Sequence, residues 1–272
     1  MSGTEDTATA VPVACAIRWM WLFLDQPAET AAAAETFWAA ATRSTLSQRR
    51  GDAGEFRTLE PAAGDPAVRL QRIGHDTGAG TAGLHLDLDV DDPRAAATRA
   101  VVRFGAEVIA EHWDEGFAVL RSPGGFVFCF TDAADGPAGR AEPTAHRARE
   151  GEPDLLDQVC LDIPSDRWNA EVAFWSDLTG WPARAAVRDE FAYLKSPKDG
   201  PLRILLQRTD SPAARVTAHP DIACTDREMT VARLVDLGAH IVVRMPWWTV
   251  LRDPTGRAFC VIARDPVTGR IG

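Results

Sequence analysis

The chain has 272 residues, enough for two domains of ordinary size. Its 39 acidic against 29 basic side chains leave a formal charge of −10, which argues against a nucleic-acid or anionic-membrane partner, because both demand clustered Lys and Arg. Hydrophobic residues make up 46%, enough to build real cores, yet no apolar run reaches the roughly 18 residues of a membrane span.

Met1 to Ala10 is small and polar and contains no Lys or Arg. It lacks the basic start and apolar core of a secretory signal, so residues 1–12 read as a disordered tail on a cytoplasmic protein. Val13 to Leu24 reads as a strand rich in Ile, Trp and Phe. Asp25-Gln26-Pro27 reads as a turn and cap before an Ala-rich helix, Ala28 to Ser44, that carries Phe37-Trp38. Short strands follow at Glu55 to Leu59 and Ala67 to Gly74. The strand His85 to Val90 alternates: His85, Asp87 and Asp89 fall on one face and Leu86, Leu88 and Val90 on the other. Asp91-Asp92-Pro93 starts the helix Arg94 to Phe104, and Gly105 stops it. Glu107 to Glu111, Phe117 to Arg121 and Phe126 to Phe130 complete the half as strands. Residues 133–153, rich in Ala, Gly, Pro and charge, have no apolar period and read as a linker.

The second half repeats the first. The order His-x-Asp, Gly-Ala, Val-Leu-Arg-x-Pro and Phe-Cys occurs at 85–87, 105–106, 119–123 and 128–129. It returns at 219–221, 238–239, 250–254 and 259–260. So long a period means duplicated domains rather than a solenoid. Gln158 to Ile163 reads as a strand, Ser165-Asp166 as the cap of a helix with Phe174-Trp175, and Val216 to Cys224 as a strand before the helix Arg227 to Leu237. Strands at Ile241 to Val243, Thr249 to Arg252 and Ala258 to Ala263 end the pattern. The strand-helix-strands order occurs twice within each half, giving four modules. The five cysteines sit in apolar strand-like runs without a Cys-x-x-Cys pair and read as buried free thiols.

Three phrases carry a resemblance: His-Leu-Asp-Leu-Asp-Val-Asp-Asp (85–92), Asp-Pro-Thr-Gly-Arg-Ala-Phe-Cys-Val (253–261) and Phe-Trp-Ser-Asp-Leu-Thr-Gly-Trp (174–181). With the βαβββ order they resemble the glyoxalase-like domains of the vicinal oxygen chelate superfamily, which includes glyoxalase I, bleomycin-resistance proteins and extradiol dioxygenases. The resemblance implies an α+β chain of two tandem glyoxalase-like domains over 13–132 and 154–264, with a tail over 265–272. Each domain would be a pair of βαβββ modules curling a mixed sheet into a cup flanked by helices.

The resemblance also implies where a divalent metal would be held: on the first strand of a module and just before the Phe of the last strand. His85, His219 and Gln158 fall on such positions, but Trp21 occupies the fourth, and Val127, Ala258, Arg69 and Leu205 stand where a carboxylate would be expected. The expectation is therefore no cofactor, with His85, Gln158 and His219 as weak metal candidates and a divalent metal as the alternative. Without a metal triad, the expected function is the binding of a small organic ligand, apolar or aromatic, in one or both cups. The alternative is a metal-dependent lyase, isomerase or dioxygenase built around Gln158 and His219. A third reading is an interaction protein whose cups are vestigial.

Candidate ligand residues are Gln71, His85, Gln207, His219, Trp21, Gln158 and the pair Trp247-Trp248. His85 and His219 are also the candidates for any acid-base role, since imidazole titrates near neutrality. Asp87 and Asp221 read as acids at the rim of the cup. Cys129 and Cys260 should face into it, opposite Phe128 and Phe259. Monomer and homodimer are equally compatible with the sequence.

Overall fold

The structure, a computed structural model, describes residues 14–74, 83–134, 137–139, 143–148, 152–210 and 213–271. The expected tail over 1–12 and His75 lie outside the described residues. Two eight-stranded mixed sheets are built in the same way. The first half contributes β1 (Ile17–Pro27), α1 (Ala31–Ala41), β2 (Thr45–Leu46), β3 (Phe56–Glu60), β4 (Val68–Ile73), β5 (Leu84–Val90), α2 (Pro93–Phe104), β6 (Glu107–His112), β7 (Phe117–Arg121) and β8 (Val127–Asp132). Their order across the sheet is β2-β3-β4-β1-β5-β8-β7-β6. β1 runs parallel to β4 and β5 parallel to β8, while β1 and β5 meet antiparallel and join the two βαβββ modules.

The second half repeats this with β9 (Asp154–Pro164), α3 (Trp168–Thr179), β10 (Ala183–Ala185), β11 (Phe191–Leu194), β12 (Arg203–Thr209), β13 (Thr217–Cys224), α4 (Arg227–Asp236), β14 (His240–Arg244), β15 (Trp248–Arg252) and β16 (Ala258–Ile262). The order is β10-β11-β12-β9-β13-β16-β15-β14. This is the tandem architecture expected from the sequence.

The local grammar explains most boundaries. Asp92 accepts a hydrogen bond from Ala95 N at 2.9 Å, Pro93 fills the first turn, and Gly105 closes α2 at φ 77°, a left-handed conformation that suits glycine. Asp226 caps α4 in the same way through Met229 N, at 2.9 Å. Two expectations need correction. Asp25-Gln26-Pro27 is not a turn: β1 continues through it because these residues pair with Gln71, Arg72 and Ile73 of β4. Ser165-Asp166 do not cap α3, which starts after Arg167 without a side-chain cap; Ser165 Oγ instead donates to Thr209 O at 2.9 Å.

The alternation in β5 sends Leu86, Leu88 and Val90 to the helix side, where they join one core with Phe128 and Trp175. The helices of the first modules cross between the halves. Trp38 of α1 packs on Phe259 of β16 with ring centroids 5.3 Å apart, and Trp175 of α3 packs on Phe128 of β8 at the same separation. Both indoles are fully buried. Each removes on the order of 200 Å² from water, roughly 5 kcal/mol at 25 cal/mol per Å². The described part of the expected linker lies against the first sheet: Thr144 N donates to Asp65 Oδ2 at 2.8 Å, and Ala145 packs beside Trp19, Trp21 and Phe23. Among the described residues no helix is long and apolar enough to cross a membrane.

Candidate functional site

The face of each sheet turned away from the helices carries the polar residues. In the first domain these lie on the central strands β1, β5 and β8. Asp25 Oδ2 sits 2.8 Å from His85 Nδ1, and His85 Nε2 points at Asp87 Oδ1, 3.5 Å away. Cys129 stands directly opposite Asp87 in register. The second domain repeats the row: Asp162 Oδ2 is 2.8 Å from His219 Nδ1, His219 Nε2 is 3.4 Å from Asp221 Oδ1, and Cys260 is opposite Asp221. The register β1–β5 and β9–β13 places these atoms, because Phe23 pairs with His85 and Cys160 with His219.

Burial shapes the charge of this row. It opposes the charge on His85, but Asp25 and then Asp87 outweigh it, so the imidazole pKa is raised to about 9. Burial likewise opposes the charge on His219, and the facing Cys160 sulfur and Asp162 carboxylate more than offset it, raising that pKa as well. Burial lifts the Asp87 carboxyl above its ordinary range and Asp221 to about 6, with the neighbouring imidazole holding each down. It also pushes the Cys129 and Cys260 thiols up, so both are neutral near pH 7.

The two cups differ in what stands on the first strand. In the first domain Trp19, Trp21 and Phe23 are all buried. Phe23 stacks on His85 at 4.6 Å, the Arg69 guanidinium lies 3.7 Å over the Trp21 ring, and Trp21 Nε1 donates to Asp89 Oδ2 at 3.0 Å. These side chains, with Ala133 and Ala145 against them, fill the first cup. At the matching places the second domain has Leu155, Gln158 and Cys160, facing Leu205 where the first has Arg69. Its walls are the half-buried Leu205, Gln207 and Val250, and Phe191 and Trp248 meet edge to face across its mouth at 5.8 Å.

The sequence candidates are thus divided. His219, Gln158, Gln207 and Trp248 converge on the second cup: Gln158 Nε2 donates to Asp221 Oδ2 at 2.6 Å, and Cys160 Sγ lies 3.7 Å from Gln207 Oε1. Trp247 is exposed beside them. His85 and Trp21 lie in the first cup, and Gln71 is half-buried opposite Phe56 and Asp25 in register. Asp87 and Asp221 are not at the rim; both are buried, because the strands that carry them are central. Asp25 and Asp162, which orient the two imidazoles, were not foreseen. The signal was there in the repeated Leu-Asp-x-Pro at 24–27 and 161–164, but Asp-x-Pro also spells a turn.

The donor set of the fold family's metal does not fit at the positions the resemblance implies. Trp21, Arg69 and Val127 leave His85 alone there, and in the second domain Leu205 and Ala258 offer nothing while the Gln158 amide is engaged by Asp221. What remains is a partial cluster of possible ligands on other residues: His85, Asp87 and Cys129 in one domain, and His219 with Asp221 and Cys260, or with Cys160 and Asp162, in the other.

The glyoxalase-like domain family model matches residues 21–131 and again 158–262, and the chain belongs to that family. No curated protein sequence matches it. Among solved structures it is similar to the Mn(II)-bound glyoxalase from Novosphingobium aromaticivorans, at 17% identity and TM-score 0.58, covering 91% of this chain and 81% of that one. It is similar to a 2,2',3-trihydroxybiphenyl 1,2-dioxygenase from dibenzofuran-degrading Sphingomonas wittichii strain RW1, at 13% identity and TM-score 0.58, covering 91% and 90%. A mutant of 4-hydroxymandelate synthase from Streptomyces coelicolor matches at 16% identity and TM-score 0.57, covering 92% of each chain. At these identities the likeness is one of fold.

Proposed function

We propose that this chain binds a small organic ligand with a flat apolar or aromatic body in the cup of its second domain, while the first cup serves as filled structural support. One observation carries the reading: the three aromatic rings that fill the first cup are replaced in the second by Leu155, Gln158 and Cys160. A ring in that space would lie against Phe191, Trp248 and Leu205, with the Gln207 amide able to hold one polar group. Such pockets combine apolar walls with a few placed polar groups, the part Gln207 would take here.

The test is a thermal-shift and calorimetric screen of the full chain against flat aromatic metabolites and antibiotics. A ligand should raise the unfolding temperature of the wild type, and Trp248→Ala should weaken its binding at least tenfold. Phe56→Ala, at the matching wall of the first cup, should not. Silence across the panel, or binding that ignores Trp248→Ala and Phe191→Ala, counts against the proposal.

A further inference from the structure

The repeated phrases His-x-Asp and Phe-Cys come together in space twice. In each domain the imidazole, the Asp carboxylate and the thiol of those phrases place their donor atoms within 4.8 Å of one another. We propose that His85, Asp87 and Cys129, and likewise His219, Asp221 and Cys260, each bind one thiophilic divalent cation of the zinc type. His85 and His219 stand where the resemblance puts one ligand each, but Asp87, Cys129, Asp221 and Cys260 do not; the family's other places hold Trp21, Arg69 and Val127 in the first domain. The inference goes beyond ligand binding and does not rest on it, since the cluster recurs in the filled cup.

Three observations support it. First, Asp87 Oδ1 and Asp221 Oδ1 are both buried without a hydrogen bond, the same atom orphaned in both domains. An unpaired buried carboxylate oxygen costs on the order of 1–3 kcal/mol or more, so its recurrence calls for a partner. Second, each orphaned oxygen lies within ion-pair range of an imidazole but too far for a good hydrogen bond. Asp25 and Asp162 hold the Nδ1 atoms at 2.8 Å, as charge-assisted hydrogen bonds do, whereas Nε2 stands 3.5 and 3.4 Å from the orphaned oxygens. Tetrahedral zinc with bonds of about 2.05 Å separates two ligands by about 3.3 Å, which matches that gap. Third, a carboxylate on Nδ1 is the usual way to turn the Nε2 lone pair toward a metal. Asp25 and Asp162 occupy that place in both copies.

The thiol decides the class of ion. Imidazole, carboxylate and thiolate together suit zinc and its relatives and not magnesium or calcium, which prefer oxygen. The cation would displace the thiol proton and any proton on Nε2, and the two anionic ligands would balance its charge. The remaining thiol of the second cup, Cys160, faces the Nδ1 side of His219 with Asp162 and is not needed.

The experiment uses the full chain stripped with a chelator, then titrated with Zn²⁺ by calorimetry and with Co²⁺ by absorption. The proposal expects two equivalents per chain and a thiolate-to-cobalt charge-transfer band. Cys129→Ser and Cys260→Ser should each remove one equivalent and about half the band, and the double variant should lose both. The pair Cys15→Ser and Cys224→Ser should change neither, and Trp248→Ala, which removes a wall of the ligand cup, should leave two equivalents in place. No uptake by the wild type, uptake without the band, or two equivalents surviving the double variant would overturn it. Because the first two of these are read on the wild type, a variant that fails to fold does not shelter the idea.

Discussion

Trp38 donates its indole N–H to Asp253 Oδ2 at 2.9 Å, joining residues 215 positions apart and in different halves of the chain. Asp253 is buried, and its other oxygen accepts from Thr255 N and Arg257 N, at 2.9 and 3.0 Å, so one carboxylate organises a turn and anchors a helix of the other half. Asp253→Ala should leave the indole N–H unpaired and loosen the turn. The expected cost is about 2–4 kcal/mol in urea unfolding, with both halves unfolding earlier. Asp253→Asn should recover part of the loss, since it restores the acceptor of the turn but presents an amide to the indole. A change within ±0.5 kcal/mol would mean the contact is idle.

The filled first cup makes a second prediction. Trp21→Ala removes a buried ring that holds Arg69 above it and Asp89 beside it, and it should cost about 3–5 kcal/mol. Gln158→Ala, at the matching place on β9, leaves the second oxygen of the buried Asp221 without a hydrogen bond and should cost about 1–3 kcal/mol. Urea midpoints of the two variants compare them directly. Equal losses would show that the two cups are packed alike.

Glu171 supplies a pH test away from both cups. Burial raises its carboxyl above the ordinary 4.5, against hydrogen bonds from Gly124 N and from the side chains of Ser122 and Trp175. A carboxyl raised by folding holds its proton better in the folded chain. Its stabilising contribution is therefore complete below about pH 4.5 and fades as pH climbs through the raised value. Glu171→Gln lacks that step. The unfolding midpoint of the wild type relative to the variant should fall as pH rises above about 4.5, measured at fixed ionic strength. A difference that stays flat as the carboxyl ionises would show that the charge is not buried.

The order of elements and the face of each strand were legible in the sequence, because alternation in β5 and the Asp-Pro and Gly signals around α2 are local. Depth was not. Asp87 and Asp221 were placed on the correct face but at the rim, since nothing in His-Leu-Asp says that its strand lies in the middle of eight. Asp25 was hidden by turn chemistry, and only its pairing with Gln71 reveals the strand. Cys129 and Cys260 were legible as facing the cup, but their approach to the Asp of His-x-Asp depends on the parallel pairing of β5 with β8 and β13 with β16. Partners such as Asp157 and Arg264, which form a buried two-point ion pair 107 residues apart, have no local signature at all.

Arg257 shows what the crossing of α1 and α3 entails. This buried arginine belongs to the second half, yet its guanidinium donates to the backbone carbonyls of Gly83 and Asp25 in the first, next to the carboxylate that steers His85. Each copy thus supplies roofing for the other's framework. Either half on its own would leave Phe128 or Phe259 uncovered and its first helix without the ring it packs on, so neither half is complete without the other's helix.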